Sequence, residues 1–198
     1  MKGPVSVLLL SALLAGCGVS GEEIQTKEKN EPSRAKTTAS SEGRVIKENR
    51  VSIEPSRIEI PSLDVDAKIE EAGLLANGQM EDPKSPETVG WYANGTKPGE
   101  RGNAVLAGHV DSKTGPAVFF DLQKLNKGDE IIVSDEEGER LTFVVEEKKK
   151  YRAELSPIED IFDYSYQSHL NLITCTGVFD QETKNYDERL VVYTTLQK

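Results

Sequence analysis

Three residues far apart in the chain have side chains suited to covalent acyl chemistry: His109, Cys175 and Arg189. Cys175 closes the apolar run Leu170-Asn-Leu-Ile-Thr-Cys175, and Arg189 opens a second run, Arg189-Leu-Val-Val-Tyr-Thr-Thr-Leu196. Both runs are short, rich in β-branched and aromatic residues and bounded by Gly, Asp and Asn, the pattern of strands. Paired as a hairpin, they bring a thiol and a guanidinium to one end of a sheet. A thiolate needs a positive neighbour, and an acyl transition state needs a donor for its oxyanion. The third partner, a base, is offered by His109, which follows the short apolar strand Asn103-Ala-Val-Leu-Ala-Gly108. A strand ending in Gly-His before a polar loop sets the imidazole at a sheet edge, where it can serve acyl transfer. The other histidine, His169, lies six residues before Cys175 on the same strand. Six extended residues span about 20 Å, so His169 is read as structural.

The three stretches Ala107-Gly-His109, Leu172-Ile-Thr-Cys175 and the strand-opening Arg189 resemble the signatures of sortases, cysteine transpeptidases of Gram-positive cell surfaces. The resemblance covers roughly residues 51–198. Asn171 stands where the cysteine motif usually has Thr, and Asn103 to Asp111 with Val118-Phe-Phe-Asp-Leu122 are similar to class F or D members. The family implies an all-β fold, a closed eight-stranded barrel with one or two short helices. It implies Cys175 as nucleophile, His109 as acid and base, and Arg189 as oxyanion donor. The substrates would be a Leu-Pro-x-Thr-Gly-like sorting-signal peptide, cleaved at Thr-Gly, and a peptidoglycan-precursor amine. No cofactor or metal is expected, and the substrate-binding residues are not assigned. With ordinary values near 8.5 for a thiol and 6.5 for imidazole, only about 1% of molecules hold thiolate with imidazolium at neutral pH. Slow turnover and a bell-shaped pH profile follow. The alternatives are an inactive, lipid-anchored binding module on the same scaffold and an L,D-transpeptidase, whose His-Gly and Ser-x-Gly-Cys surroundings are absent.

The 198 residues suggest one domain with appendages, and Lys+Arg 24 against Asp+Glu 34 gives a net charge of −10. Such a chain is a poor match for nucleic acid. Met1-Lys-Gly-Pro, the apolar run Val5 to Ala15 and Leu14-Ala-Gly-Cys17 resemble the lipobox of bacterial lipoproteins. Residues 1–16 are read as a signal peptide and Cys17 as the lipidated residue, which leaves Cys175 as the free thiol. Acyl chains on Cys17 would hold the protein at the extracellular face of the cell membrane, as a monomer. Residues 17–50 carry almost no large apolar side chains and read as a disordered tether of about 30 Å.

From Val51 the pattern is that of a folded domain, residues 51–198. Ile58 and Ile60, then Leu63, Val65, Ala67 and Ile69, alternate with polar residues as half-buried strands interrupted at Pro61. Asn77-Gly78 signals a hairpin, as does Asp135-Glu-Glu-Gly138 between Ile131–Val133 and Leu141–Val145. Pro116 to Leu125 is expected to form a short helix, and Pro157 to Phe162 another helical turn. Trp91 and Tyr92 belong either to a groove wall or to the core. The acidic runs Asp135-Glu-Glu137 and Glu146-Glu147 lack EF-hand spacing and read as solvated faces rather than a cation site.

Overall fold

A computed structural model describes residues 51–198. Residues 1–50, read as signal peptide and tether with Cys17 between them, lie outside the described residues. Ten strands run in order: β1 (Arg57–Ile60), β2 (Val65–Ala72), β3 (Val89–Tyr92), β4 (Gly102–Gly108), β5 (Asp111–Ser112), β6 (Gly115–Pro116), β7 (Glu130–Ser134), β8 (Arg140–Arg152), β9 (Ser168–Asp180) and β10 (Asn185–Leu196). One helix, α1 (Ile158–Phe162), lies in the β8–β9 connection. Eight strands close a barrel in the order β1-β2-β3-β4-β9-β10-β8-β7, while β5 and β6 form a separate small hairpin. The β2–β3 and β4–β9 pairs are parallel, and the other barrel pairs antiparallel. The expected all-β barrel is therefore the observed fold.

Alternation along the strands sorts two apolar sets. Ile58, Ile60, Ala104, Leu106, Phe143, Leu170, Leu172, Leu190 and Val192 fill the barrel interior. Val105 and Val191 face the other way, onto a second cluster with Ile161 of α1, bordered by Met80, Tyr92, Phe162 and Ile173. Covered on both faces, β4, β9 and β10 read as continuous apolar runs instead of strict alternation. Cys175 shares its face of β9 with Ile173, and Arg189 its face of β10 with Val191. Both thus lie on the outer face of the barrel.

The break at Pro61 appears as a 3-10 turn, Pro61–Leu63, between β1 and β2. The β7–β8 hairpin and the helical turn at 158–162 form where expected. Asn77-Gly78 sits in a tight turn closed by a single bridge, Leu74 to Met80. Trp91 is a core residue, 3% exposed. Pro116 to Leu125 is not a helix. The amides of Ala117, Val118 and Phe119 are taken by the distant carbonyls of Val110, Pro86 and His109. That leaves only a 3-10 turn at Leu122–Lys124. Phe119 and Leu122, wholly buried, anchor this segment in the core.

Candidate active site

Cys175 does not end its strand. Strand β9 continues to Asp180 and β10 starts at Asn185, so the β9–β10 hairpin projects five residues beyond the thiol. The parallel neighbour β4 stops earlier, its last ladder pair being Ala107 with Ile173. Cys175 therefore stands where β9 loses one neighbour and keeps the other. On the kept side, Arg189 is its direct register partner. On the lost side, continuing the β4–β9 register by two residues brings His109 level with Cys175. Thr174 donates to the Gly108 carbonyl at 2.8 Å and holds that alignment. The register thus sets Arg189 opposite Cys175 and directs the end of β4, with His109 next in the chain, toward the same stretch of outer surface.

Gly108 sets the exit of β4. A Cβ there would lie 2.4 Å from a ring carbon of Phe119, so only glycine lets the buried ring pack beneath His109. The His109 Nε2 stands 2.9 Å from the Pro83 carbonyl. A carbonyl only accepts, so Nε2 carries a proton and Nδ1 holds the lone pair of the neutral ring.

Beyond Cys175 the β9–β10 ladder shifts register between Tyr186 and Glu188. Gly177 takes φ +88° at this bulge, and a Cβ there would meet the Asp187 carboxylate at 2.2 Å. That carboxylate accepts from the Val178 amide at 2.7 Å. The Cys-Thr-Gly sequence therefore sets the candidate nucleophile two residues before the glycine of a bulge, a device that bends a strand beside a site. Alternation alone does not reveal it, although the Gly two residues after the Cys is its trace.

Arg189 donates from Nη1 to the carbonyls of Tyr186 and Glu188, both at 2.9 Å, and from Nη2 to Asn185 Oδ1 at 3.0 Å. A guanidinium has five N–H donors, so two remain for an incoming oxyanion. Cys175 is half-buried, and its thiol is pushed above its ordinary pKa. Burial is the main cause. The Arg189 cation works in the opposite direction, and the carboxylates of Asp82 and Asp111 reinforce burial. The thiol is thus held protonated more firmly than its ordinary value implies.

His169 lies at the far end of β9, with Nδ1 2.8 Å from the Thr194 carbonyl. It lines a 310 Å³ pocket with Asn103, Glu146, Glu159 and Asp160, well away from the thiol. A second pocket, of 580 Å³, lies by Ser52, Lys97 and Glu136. Neither is lined by Cys175. Among the described residues no group of His, Cys, Asp and Glu is placed to hold a metal ion, and Cys175 is the free cysteine.

The sortase domain model matches residues 58–197, which is most of the chain. The chain belongs to the sortase family, a family of transpeptidases that act on sorting signals and cell-wall precursors. Among solved structures, sortase C-1 from Actinomyces oris is 26% identical with a TM-score of 0.58, covering 74% of this chain and 76% of that one. The lid mutant of sortase A from Corynebacterium diphtheriae is 19% identical with a TM-score of 0.59, covering 76% and 73%. Sortase A of Listeria monocytogenes is 23% identical with a TM-score of 0.55, covering 72% and 86%. The latter two likenesses show the fold alone. No curated protein sequence matches.

Proposed function

We propose that this sortase cleaves a Leu-Pro-x-Thr-Gly-like signal between Thr and Gly and passes the acyl group to a cell-wall amine. The observation that carries the reading is the register around β9, with Arg189 opposite Cys175 and the β4 alignment leading to His109 beside it.

In the first half-reaction the Cys175 thiolate attacks the threonine carbonyl carbon. A sulfur–carbon bond forms, and the carbonyl electron pair moves to oxygen, where the free donors of Arg189 bear the charge. The tetrahedral centre collapses, the C–N bond breaks, and protonated His109 gives its proton to the departing glycine amine. In the second half, neutral His109 takes a proton from the acceptor amine as that amine attacks the thioester. Cys175 leaves as thiolate, and both groups return to their starting charge. The thioester conserves the acyl bond, so ligation needs no nucleotide.

The lipobox-like Leu14-Ala-Gly-Cys17 supports anchoring through lipidated Cys17 at the extracellular face of the membrane, with residues 17–50 as spacer and the catalytic domain a monomer. The stretches Asn103 to Asp111 and Val118 to Leu122 favour a class F or D member.

The test is incubation of the purified protein with a fluorogenic sorting peptide and an amine, alongside Cys175→Ala. Transfer product is expected from the unsubstituted protein, and a loss of at least about 10³-fold from the variant. Equal signal from both would reject the enzyme and leave a binding module on a sortase fold.

A further inference from the structure

Two side chains that the proposed chemistry does not use meet beside it. Asp111 opens β5, two residues after His109. Tyr186 stands near the start of β10, three residues before Arg189. They are 75 residues apart in the chain, yet the Tyr186 hydroxyl donates to Asp111 Oδ2 at 2.5 Å. The Tyr186 ring packs edge-on against Phe179, with centroids 5.1 Å apart. Its backbone carbonyl accepts from the Arg189 guanidinium at 2.9 Å. One residue therefore touches the His109 loop through its hydroxyl and the Arg189 cation through its carbonyl.

We propose that Asp111 and Tyr186 are positioning residues: their hydrogen bond joins the His109 loop to the Arg189 hairpin, and through the Tyr186 carbonyl it sets where the guanidinium stands relative to Cys175. The inference rests on the acyl-transfer reading of those three residues. Residues 181–185 at the tip of the hairpin are exposed, so little packing holds that end of β10 in place. The Asp111 bond supplies a fixed point from outside the hairpin.

The tie withstands alkali. Its own hydrogen bond, reinforced by desolvation and the Asp111 charge, pushes the Tyr186 hydroxyl up to about 12. Asp111 also has an electrostatic effect that is separable from the tie. The groups whose charge reaches the thiol are Arg189 across the ladder, Asp82 before Pro83 and Asp111 itself; the thiolate in turn acts on Tyr186, and His109 follows β4 alongside. Of these, Arg189 favours the thiolate and the two aspartates oppose it. The same carboxylate thus steadies the cation and disfavours the anion.

Three variants separate the two effects. Asp111→Asn keeps an oxygen to accept from Tyr186 but removes the charge. Tyr186→Phe keeps the charge and the Phe179 contact but removes the bond. Asp111→Ala removes both. Alkylation of Cys175 by iodoacetamide is followed against pH by mass spectrometry on the full chain, since the rate tracks the thiolate fraction whether or not any peptide is transferred. Transfer kinetics with the sorting peptide are measured in parallel.

For Asp111→Asn, the alkylation profile is expected to move to lower pH, with a rate at pH 7 up about two- to fivefold and transfer retained. For Tyr186→Phe, the profile moves to higher pH as the cation loses its fixed position, and kcat drops about two- to tenfold with KM nearly unchanged. Asp111→Ala lowers kcat by the same about two- to tenfold as Tyr186→Phe. An unchanged alkylation profile and kcat in Tyr186→Phe would overturn the proposal, as would equal losses in Asp111→Asn and Asp111→Ala. Should the alkylation shifts appear while no form of the protein transfers peptide, the positioning role stands and the acyl-transfer reading falls.

Discussion

Two points along β9 carry the same kinds of groups to different effect. At one, Cys175 faces Arg189 across the ladder, and the β4 register leads to His109 beside it. At the other, about 20 Å away along the strand, His169 shares an acidic pocket and holds the Thr194 carbonyl. Both histidines bond one ring nitrogen to a backbone carbonyl, so hydrogen bonding does not distinguish them. What differs is the sheet around them. His169 sits within a complete ladder, paired with Thr195 on one side and Asn103 on the other. His109 sits just past the end of β4, beside a strand that runs on without it. The proposed reactive site lies where the sheet stops.

The strongest test of this contrast is a pair of alanine substitutions. His109→Ala is expected to lower kcat/KM by about 10²- to 10⁴-fold. His169→Ala should leave kcat/KM within about twofold, while denaturant unfolding shows about 1 kcal/mol of lost stability from the Thr194 bond. Comparable activity losses in both would mean the far end of the strand takes part in the chemistry. A smaller effect is expected from Arg189→Lys, which keeps the charge but not the planar fork that bonds Tyr186, Glu188 and Asn185. Steady-state kinetics should show kcat/KM lower by about 10²-fold; a near-normal value would assign Arg189 a charge role alone.

The smallest effect is a shift in pH dependence. Burial and two nearby carboxylates raise the thiol above its ordinary value in the free enzyme. When thiolate and imidazolium are required together, the alkaline limb of kcat/KM reports the higher of the two ionisations. That limb should fall above pH 8.5, and the active fraction on the plateau should lie below the roughly 1% set by ordinary values. An alkaline limb below pH 8 would show that Arg189 outweighs burial.

The barrel was legible because its strands are punctuated by Gly, Pro and Asp, and because Cys175, His109 and Arg189 stand at the margins of apolar runs. The residues bounding those runs also misled. Cys175 and Arg189 end the apolar stretches without ending the strands, since the hairpin beyond them is exposed and carries polar residues. The helix expected at 116–125 failed for another reason. Proline near the start and glycine near the end are compatible with a helix, but three successive amides bond to distant carbonyls. Periodicity cannot register such partners. The Asp187 contact over Gly177 and the Tyr186–Asp111 bond escaped for the same reason, since each joins residues whose proximity depends on the closed barrel or on a bulge.

The parallel pairing of β4 with β9 bears on how the molecule is made. Leu106 and Leu172 are ladder partners 66 residues apart in the chain, and such distant pairings form late and slowly during folding. The sulfur meets its imidazole only once that ladder has zipped. A half-made chain emerging from synthesis therefore carries an ordinary cysteine, and the proposed acyl capture waits for the finished domain.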